Sequence, residues 1–319
     1  MRRQADQARA IWATLGLAWI VLIAAGVWTP VAAQTDTGQI AGVITDNSKA
    51  RLPGVTVSVT NDATQATRTV VTDTDGAWVI TNLRPGNYTI TAELEGFKKA
   101  RQSGFTLYAD GRLTANFSLD VGGVTETVEV AAVVGETVNR TSGEIARTVD
   151  RGQVQDLALN GRNYLQLTNL IPGAVTLNDD SLDLSTSLST TGQAINGNRG
   201  ESNSLLVDGG TNLDSGSNGS QMNNVGIDFI QEVKIETSNF SAEYGRQSGA
   251  AINVITRSGT NKFSGSAFEF LRNDALDELN YFSPVGANGK KVAQILKFND
   301  YGGVLGGLLL KDKAFFFVG

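Results

Sequence analysis

Residues Glu232 to Asn261 read EVKIETSNFSAEYGRQSGAAINVITRSGTN. Two strand-like runs, Val233 to Ile235 and Ala251 to Thr256, are separated by small polar residues and glycine. Phe229 to Ile235 alternates in the way a strand does. The small residues ahead of the second run permit close packing of its backbone. The rest of the chain points the same way. Its 319 residues are 41% hydrophobic and 18% charged, which suits ordered globular material with room for two or three domains. Glycine (36) far exceeds proline (5), as expected of short strands joined by many turns, so a mainly β fold is expected.

Composition also removes whole classes of chemistry. With no cysteine there are no disulfides, no thiolate nucleophile, no Cys-ligated zinc and no lipidated N-terminal cysteine. With no histidine there is no His general base, no Ser-His-Asp triad and no His-ligated catalytic zinc. An enzyme would have to rely on carboxylates alone, such as Asp179 and Asp183. No catalytic residue, metal site or cofactor is assigned.

The N-terminus reads as an export signal, residues 1–33. Arg2, Arg3 and Arg9 form the positive end, Ile11 to Trp28 is an uncharged apolar run, and Val31-Ala32-Ala33 precedes Gln34 as a small-residue cleavage site. The alternative is a single transmembrane anchor, but no positive stop-transfer cluster follows. Losing three arginines and only Asp6 makes a chain of formal net charge −6 more acidic still, a poor match for nucleic acid.

Residues 34–120 alternate short β runs with turn signals. In VTVSVT, Val55, Val57 and Val59 share one face. In NYTITAEL, Tyr88, Ile90 and Ala92 do the same. Turns are expected at Asp75-Gly76 and Pro85-Gly86. This spacing predicts an independent β-sandwich. DTDG (Asp73 to Gly76) reads as a hairpin turn, since no further acidic residue continues a calcium loop. The order GxVxD, LPGVxVxVxN, TDxDG, LxPGxY and GF resembles the carboxypeptidase regulatory-like domain, a transthyretin-type sandwich, and the resemblance does not imply peptidase activity.

Residues 121–135 form a glycine-flanked connector with an extended run at Val124, Val128 and Val130. It is either a plain linker strand or an edge offered for β-augmentation, in which a partner adds a strand. Beyond Ala146, Val154, Leu157, Tyr164, Leu165, Leu167 and Leu170 fall at mostly three- and four-residue spacings, so one or two short helices are expected before Pro172-Gly173. Leu177 to Thr191 is a polar loop carrying Asp179, Asp180 and Asp183. A β run at Leu205 to Val207 then turns at Asp208-Gly209.

NRGESNSLLVDGG followed by FIQEVKIETSNFSAEYGRQSGAAINVITRSGTNKFSGSAFEF resembles the plug domain of TonB-dependent outer-membrane transporters, especially the Oar-like group that carries a regulatory-like sandwich in front. The resemblance implies an α+β plug at 136–260 and a TonB box at Glu126, Thr127, Val128, Glu129, Val130, Ala131 and Ala132, which the periplasmic protein TonB takes by strand addition. It also implies that Arg199, Asp208, Glu232, Arg246 and Arg257 make charge-assisted hydrogen bonds within the plug or to the barrel wall.

Residues 261–319 resemble the first strands of the barrel. FSGSAFEFLRN (Phe263 to Asn273) is followed by Lys297 to Gly319, with a charged turn at Lys311-Asp312-Lys313 and clustered aromatics. Phe263 to Gly319 is far too short to close a barrel, and an open edge is not solvated by hydrocarbon. The chain is therefore expected to be an N-terminal fragment of a longer protein or a truncated gene product. Its partners would be TonB, the missing remainder of the β-barrel, outer-membrane lipid and an imported ligand that the residues do not identify. The competing expectation is a secreted carbohydrate-binding or adhesion protein, with Trp78, Tyr88 and Phe97 as candidate stacking faces.

Overall fold

The computed structural model describes residues 37–122, 127–131, 143–176, 192–241, 244–245, 247–276, 283–286, 289–292 and 296–319. The leader, Val124 and the loop containing Asp179, Asp180 and Asp183 lie outside the described residues.

Alternation of buried and half-buried residues, clearest in Gly38–Asp46 and Thr56–Asn61, builds the first unit. Its strands are β1 (Gly38–Asp46), β2 (Thr56–Asn61), β3 (Thr67–Val71), β4 (Ala77–Leu83), β5 (Gly86–Glu93), β6 (Lys99–Leu107), β7 (Arg112–Thr114), β8 (Phe117–Leu119) and β9 (Thr127–Ala131). One sheet runs β4-β1-β7, with β8 also paired to β1, and the other runs β3-β2-β5-β6-β9. Ile40 and Ile44 of β1 face Val57 and Val59 of β2 and Tyr88, Ile90 and Ala92 of β5 in one apolar core. This is what period-2 strands do when each sheet has one face to bury.

The Asp73–Gly76 turn differs from the expected hairpin. Asp73 Oδ1 accepts from Asp75 N (2.9 Å) and Ala77 N (2.8 Å), so the tight turn itself forms. However, β3 pairs with β2 whereas β4 pairs with β1. The turn therefore passes the chain from one sheet to the other. Local turn chemistry is the same in both cases; the choice of partner strand is made by the core.

The central unit follows with β10 (Ile145–Asp150), a helix at Arg151–Asp156, 3-10 turns at Asn160–Arg162 and Tyr164–Leu170, β11 (Ala174–Thr176), β12 (Gln193–Ile195), β13 (Ser204–Val207), β14 (Gly210–Thr211), β15 (Ile230–Ser238) and β16 (Ala251–Thr256). Asp150 caps the helix by accepting from Gln153 N at 3.0 Å. Val154, Tyr164, Leu165 and Leu167 are buried as the spacing requires. Leu157 is not, because it sits at the C-cap with extended backbone and turns outward. The main sheet runs β10-β15-β16-β13-β14. The two runs of the Glu232–Asn261 segment are its antiparallel centre, with Val233 opposite Val254 and Ile235 opposite Ile252.

Finally, β17 (Ser264–Asn273), β18 (Lys297–Leu310) and β19 (Ala314–Val318) form an antiparallel three-stranded sheet. The Lys311–Lys313 turn is clamped by Asn261, whose Nδ2 donates to Asp312 Oδ1 (2.7 Å) and whose Oδ1 accepts from Asp312 N (2.9 Å). Among the described residues this sheet is open at both edges. The chain is thus mainly β: a sandwich, an α+β unit and an open three-stranded antiparallel sheet.

Candidate functional site

The seam between the central unit and the three-stranded sheet is built on two arginines. Arg162 forms ion pairs with Asp228 of the central unit and, at 2.9 Å from Nε, with Asp300 of β18. Its guanidinium lies 3.8 Å from the Phe270 ring centroid and 5.0 Å from that of Phe268, both on β17. Planar guanidinium suits both contacts, because it stacks on a ring while its edge donates to carboxylates. Arg257 donates to the Asp228 carbonyl at 3.0 Å and stands 4.5 Å over Phe317 of β19. Phe229 meets the same Phe317 edge-to-face at 6.0 Å. Gly259 lies so close to the sheet that a Cβ there would be 2.2 Å from the Phe316 carbonyl oxygen and 2.5 Å from that of Gly307. No other residue fits that position without movement.

The three-stranded sheet has two unlike faces. Register places Phe268, Phe270, Asp300, Val304 and Phe317 on the face toward the central unit. The opposite face carries Leu271, Tyr301, Leu305 and Val318, exposed by 58%, 76%, 49% and 55%, with Glu269 as a charged member. Large apolar side chains held in water over a whole sheet face are unfavourable, and such a surface is one that another apolar phase or partner covers.

A second seam joins the sandwich to the central unit. β15 alternates Val233 and Ile235, which enter the apolar core, with Glu232, Lys234 and Glu236, which lie on its other face and are 3%, 4% and 2% exposed. Covering them is the Tyr108–Gly111 turn that ends β6. Glu232 Oε1 accepts from Ala109 N at 2.6 Å, and the Tyr244 hydroxyl donates to Asp110. Lys234 Nζ lies 2.7 Å from Glu236, 3.7 Å from Glu144 and 4.0 Å from Asp110. The Lys234–Glu236 contact is an ion pair by distance, with angles that fall short of an aligned hydrogen bond.

Burial alone would lower the pKa of Lys234. The adjacent carboxylate of Glu236, with Glu144 and Asp110 behind it, outweighs burial and holds the ammonium above its usual range. Burial raises the carboxyl of Glu236, and Lys234 offsets only part of that.

The residues singled out from sequence are dispersed. Arg257 lies in the first seam and Glu232 in the second, where it reaches the sandwich and not the barrel strands. Asp208 stays within the central unit, accepting from Thr256 N (2.8 Å) and Thr256 Oγ1 (2.6 Å). Arg199 occupies the position before the 3-10 turn at Gly200–Ser202, makes no side-chain capping bond there and is exposed. Arg246, Glu126 and Ala132 lie outside the described residues. Thr127–Ala131 is β9, paired in parallel with β6, from Lys99 opposite Thr127 to Ser103 opposite Ala131.

Trp78 and Tyr88 are 4% and 3% exposed within the sandwich core and offer no free stacking face for sugar, whereas Phe97 is partly buried against that core. Arg162, Asp228, Asp300, Lys234 and Glu236 escaped the sequence reading. The charge alternation Glu232-x-Lys234-x-Glu236 was visible as one strand face. Nothing local indicates that Arg162 meets Asp300.

Comparison with known proteins identifies two stretches of the chain. Residues 39–120 match the carboxypeptidase regulatory-like domain, and residues 255–319 match an outer membrane beta barrel domain. The TonB-dependent transporter Oar of Myxococcus xanthus is 32% identical over 314 residues, covering 94% of this chain. The chain spans 28% of that relative's length. Among solved structures, Klebsiella pneumoniae 5-hydroxyisourate hydrolase is 24% identical over 27% of this chain and 92% of its own, with a TM-score of 0.23. Catechol 1,2-dioxygenase from Acinetobacter sp. ADP1 is 11% identical over 33% of this chain and 60% of its own, with a TM-score of 0.26. At these scores neither likeness bears on function.

Proposed function

We propose that this chain, related over 94% of its length to a TonB-dependent transporter, is the N-terminal part of an outer-membrane receptor whose plug gates TonB-driven ligand import. In this reading residues 1–33 direct export, 34–120 form a periplasmic sandwich, 121–135 carry the TonB box, 136–260 are the plug and 261–319 begin the barrel. The chain has no enzymatic role.

The observation that carries the proposal is the two-faced sheet β17-β18-β19. One face is seated on the central unit through Arg162 and Arg257, and the other presents Leu271, Tyr301, Leu305 and Val318. Lumen-facing and lipid-facing residues alternate in this way along barrel strands. The remaining strands of the barrel supply the pairing that hydrocarbon denies to an open edge. A plug held to its wall partly by ion pairs and stacked arginines, beside the Phe229–Phe317 contact, is one that water can help release.

Fractionation of cells expressing the native gene, combined with capture by the periplasmic domain of TonB, tests the proposal. The protein is expected in the outer membrane and in the TonB eluate, and deletion of Glu126–Ala132 is expected to abolish capture. Recovery as a soluble secreted protein that ignores TonB would exclude it.

A further inference from the structure

β6 has a different partner at each end. Its first half, Lys99 to Ser103, holds β9 in parallel register. At its other end the chain runs directly into the Tyr108–Gly111 turn, where Ala109 N donates to Glu232 Oε1 at 2.6 Å and Asp110 receives the Tyr244 hydroxyl beside Lys234. The receiving residues Glu232 and Lys234 are buried and lie on β15, an interior strand of the plug sheet between β10 and β16. β9 is the terminal strand of its sheet, and among the described residues no strand pairs with its outer edge. A strand already extended at a sheet edge is a template for one more strand, with part of its ordering cost met in advance.

Resting on the transporter reading above, we propose that the sandwich is the coupling element between TonB and the plug. TonB adds its strand to the outer edge of β9 while β9 stays on β6, and tension on β9 reaches β15 through β6 and its Ala109–Asp110 turn. The sandwich is then part of the load path and not an appendage of it. Asp110 and Tyr244 act as positioning residues that fix the turn on β15.

The chain has no cysteine, so a disulfide can be placed at will. Register sets Arg101 opposite Glu129. Adjacent strands run about 4.8 Å apart, within the span a disulfide bridges. In the full chain carrying Arg101→Cys and Glu129→Cys, the bond is expected to form on oxidation. Capture by TonB's periplasmic domain is expected to agree between oxidised and reduced forms within about threefold. The two forms differ only in the bond, so any cost of the substitutions themselves cancels. In single-molecule pulling between bound TonB and a handle at Gly319, Asp110→Ala is expected to lower the first rupture force about twofold or more, because it removes both the acceptor of the Tyr244 hydroxyl and a counter-charge of Lys234. Tyr244→Phe, which removes one hydroxyl and little else, is expected to lower it by less.

Failure of the disulfide to form would overturn the proposal, as would capture lost on oxidation and regained on reduction, which would mean that the box must leave the sandwich. An unchanged rupture force in both latch variants would equally overturn it. Each of these leaves the transporter reading standing. Failure of the unmodified chain to be captured at all would sink that reading and the coupling together.

Discussion

The sandwich and the central unit bury their strands by opposite means. In the sandwich, Ile44, Val57, Val59 and Ile90 are fully buried among other apolar side chains, and the outward faces of the same strands are wet. In the central unit, β15 is buried on both faces, one apolar and one carrying Glu232, Lys234 and Glu236. The first arrangement closes on itself. The second is complete only with neighbours over it: the Ala109–Asp110 turn and Glu144 at one seam, and β17 to β19 at the other. A region whose polar layer is covered by another unit is ordered in part by it, and it loosens when that unit moves.

The largest expected effect would break this comparison most directly. Lys234→Met leaves Glu236 with its charge buried and unmatched, which is expected to cost the central unit ~3–5 kcal/mol in chemical denaturation. Adding Glu236→Leu is expected to recover most of that loss. If Lys234→Met proves neutral, the polar layer is not holding the seam. In the sandwich the corresponding sensitivity is to cavity formation. Ile90→Ala is expected to cost ~2–5 kcal/mol, followed by the fluorescence of Trp78 in the same core. Because the Ala109–Asp110 turn of the sandwich covers β15, that variant should also lower the stability of the central unit, by less; an unshifted central unit would show that the seam does not order it.

Arg162→Ala removes the ion pairs to Asp228 and Asp300 and the stacking on Phe268 and Phe270. The expected loss is ~1.5–3 kcal/mol in attachment of the three-stranded sheet, read as faster hydrogen exchange in β17. Arg162→Lys should recover part of the charge term and little of the stacking.

The smallest effect is alkaline. Lys234 and Tyr164 both have folded-state pKa values raised above their ordinary 10.5 and 10.0: Lys234 because Glu236 and the other carboxylates outweigh burial, and Tyr164 through burial, in a site where its hydroxyl donates to Gln221. A raised folded pKa gives stability that is fully present below the ordinary value and is lost as pH rises through the folded one. Denaturation midpoints of the central unit are therefore expected to hold at neutral pH and to fall progressively above pH ~10. Tyr164→Phe should remove part of that slope.

What was legible in the sequence follows from how locally it is encoded. Val55, Val57 and Val59 name a buried face whatever their partner, and Ala251–Thr256 reads as a strand because a β-branched run cannot hide its preference. The Asp73–Gly76 turn was legible as a turn but not as a passage between sheets. Leu157 fitted the helical spacing and still turned outward, because the helix ended one residue before it.

By itself, the order of residues settled that this protein is mainly β, that its first unit has a closed apolar core, and that histidine and cysteine chemistry is absent. Only the tertiary structure decided that Arg162 sits between Asp228 and Asp300, that Lys234 lies under Asp110, and that Thr127–Ala131 is held by β6. Periodicity fixes which face of a strand is apolar because that depends on residues two apart. Pairing between charges more than sixty positions apart depends on which surfaces the cores leave facing each other, and no short stretch of chain contains that information.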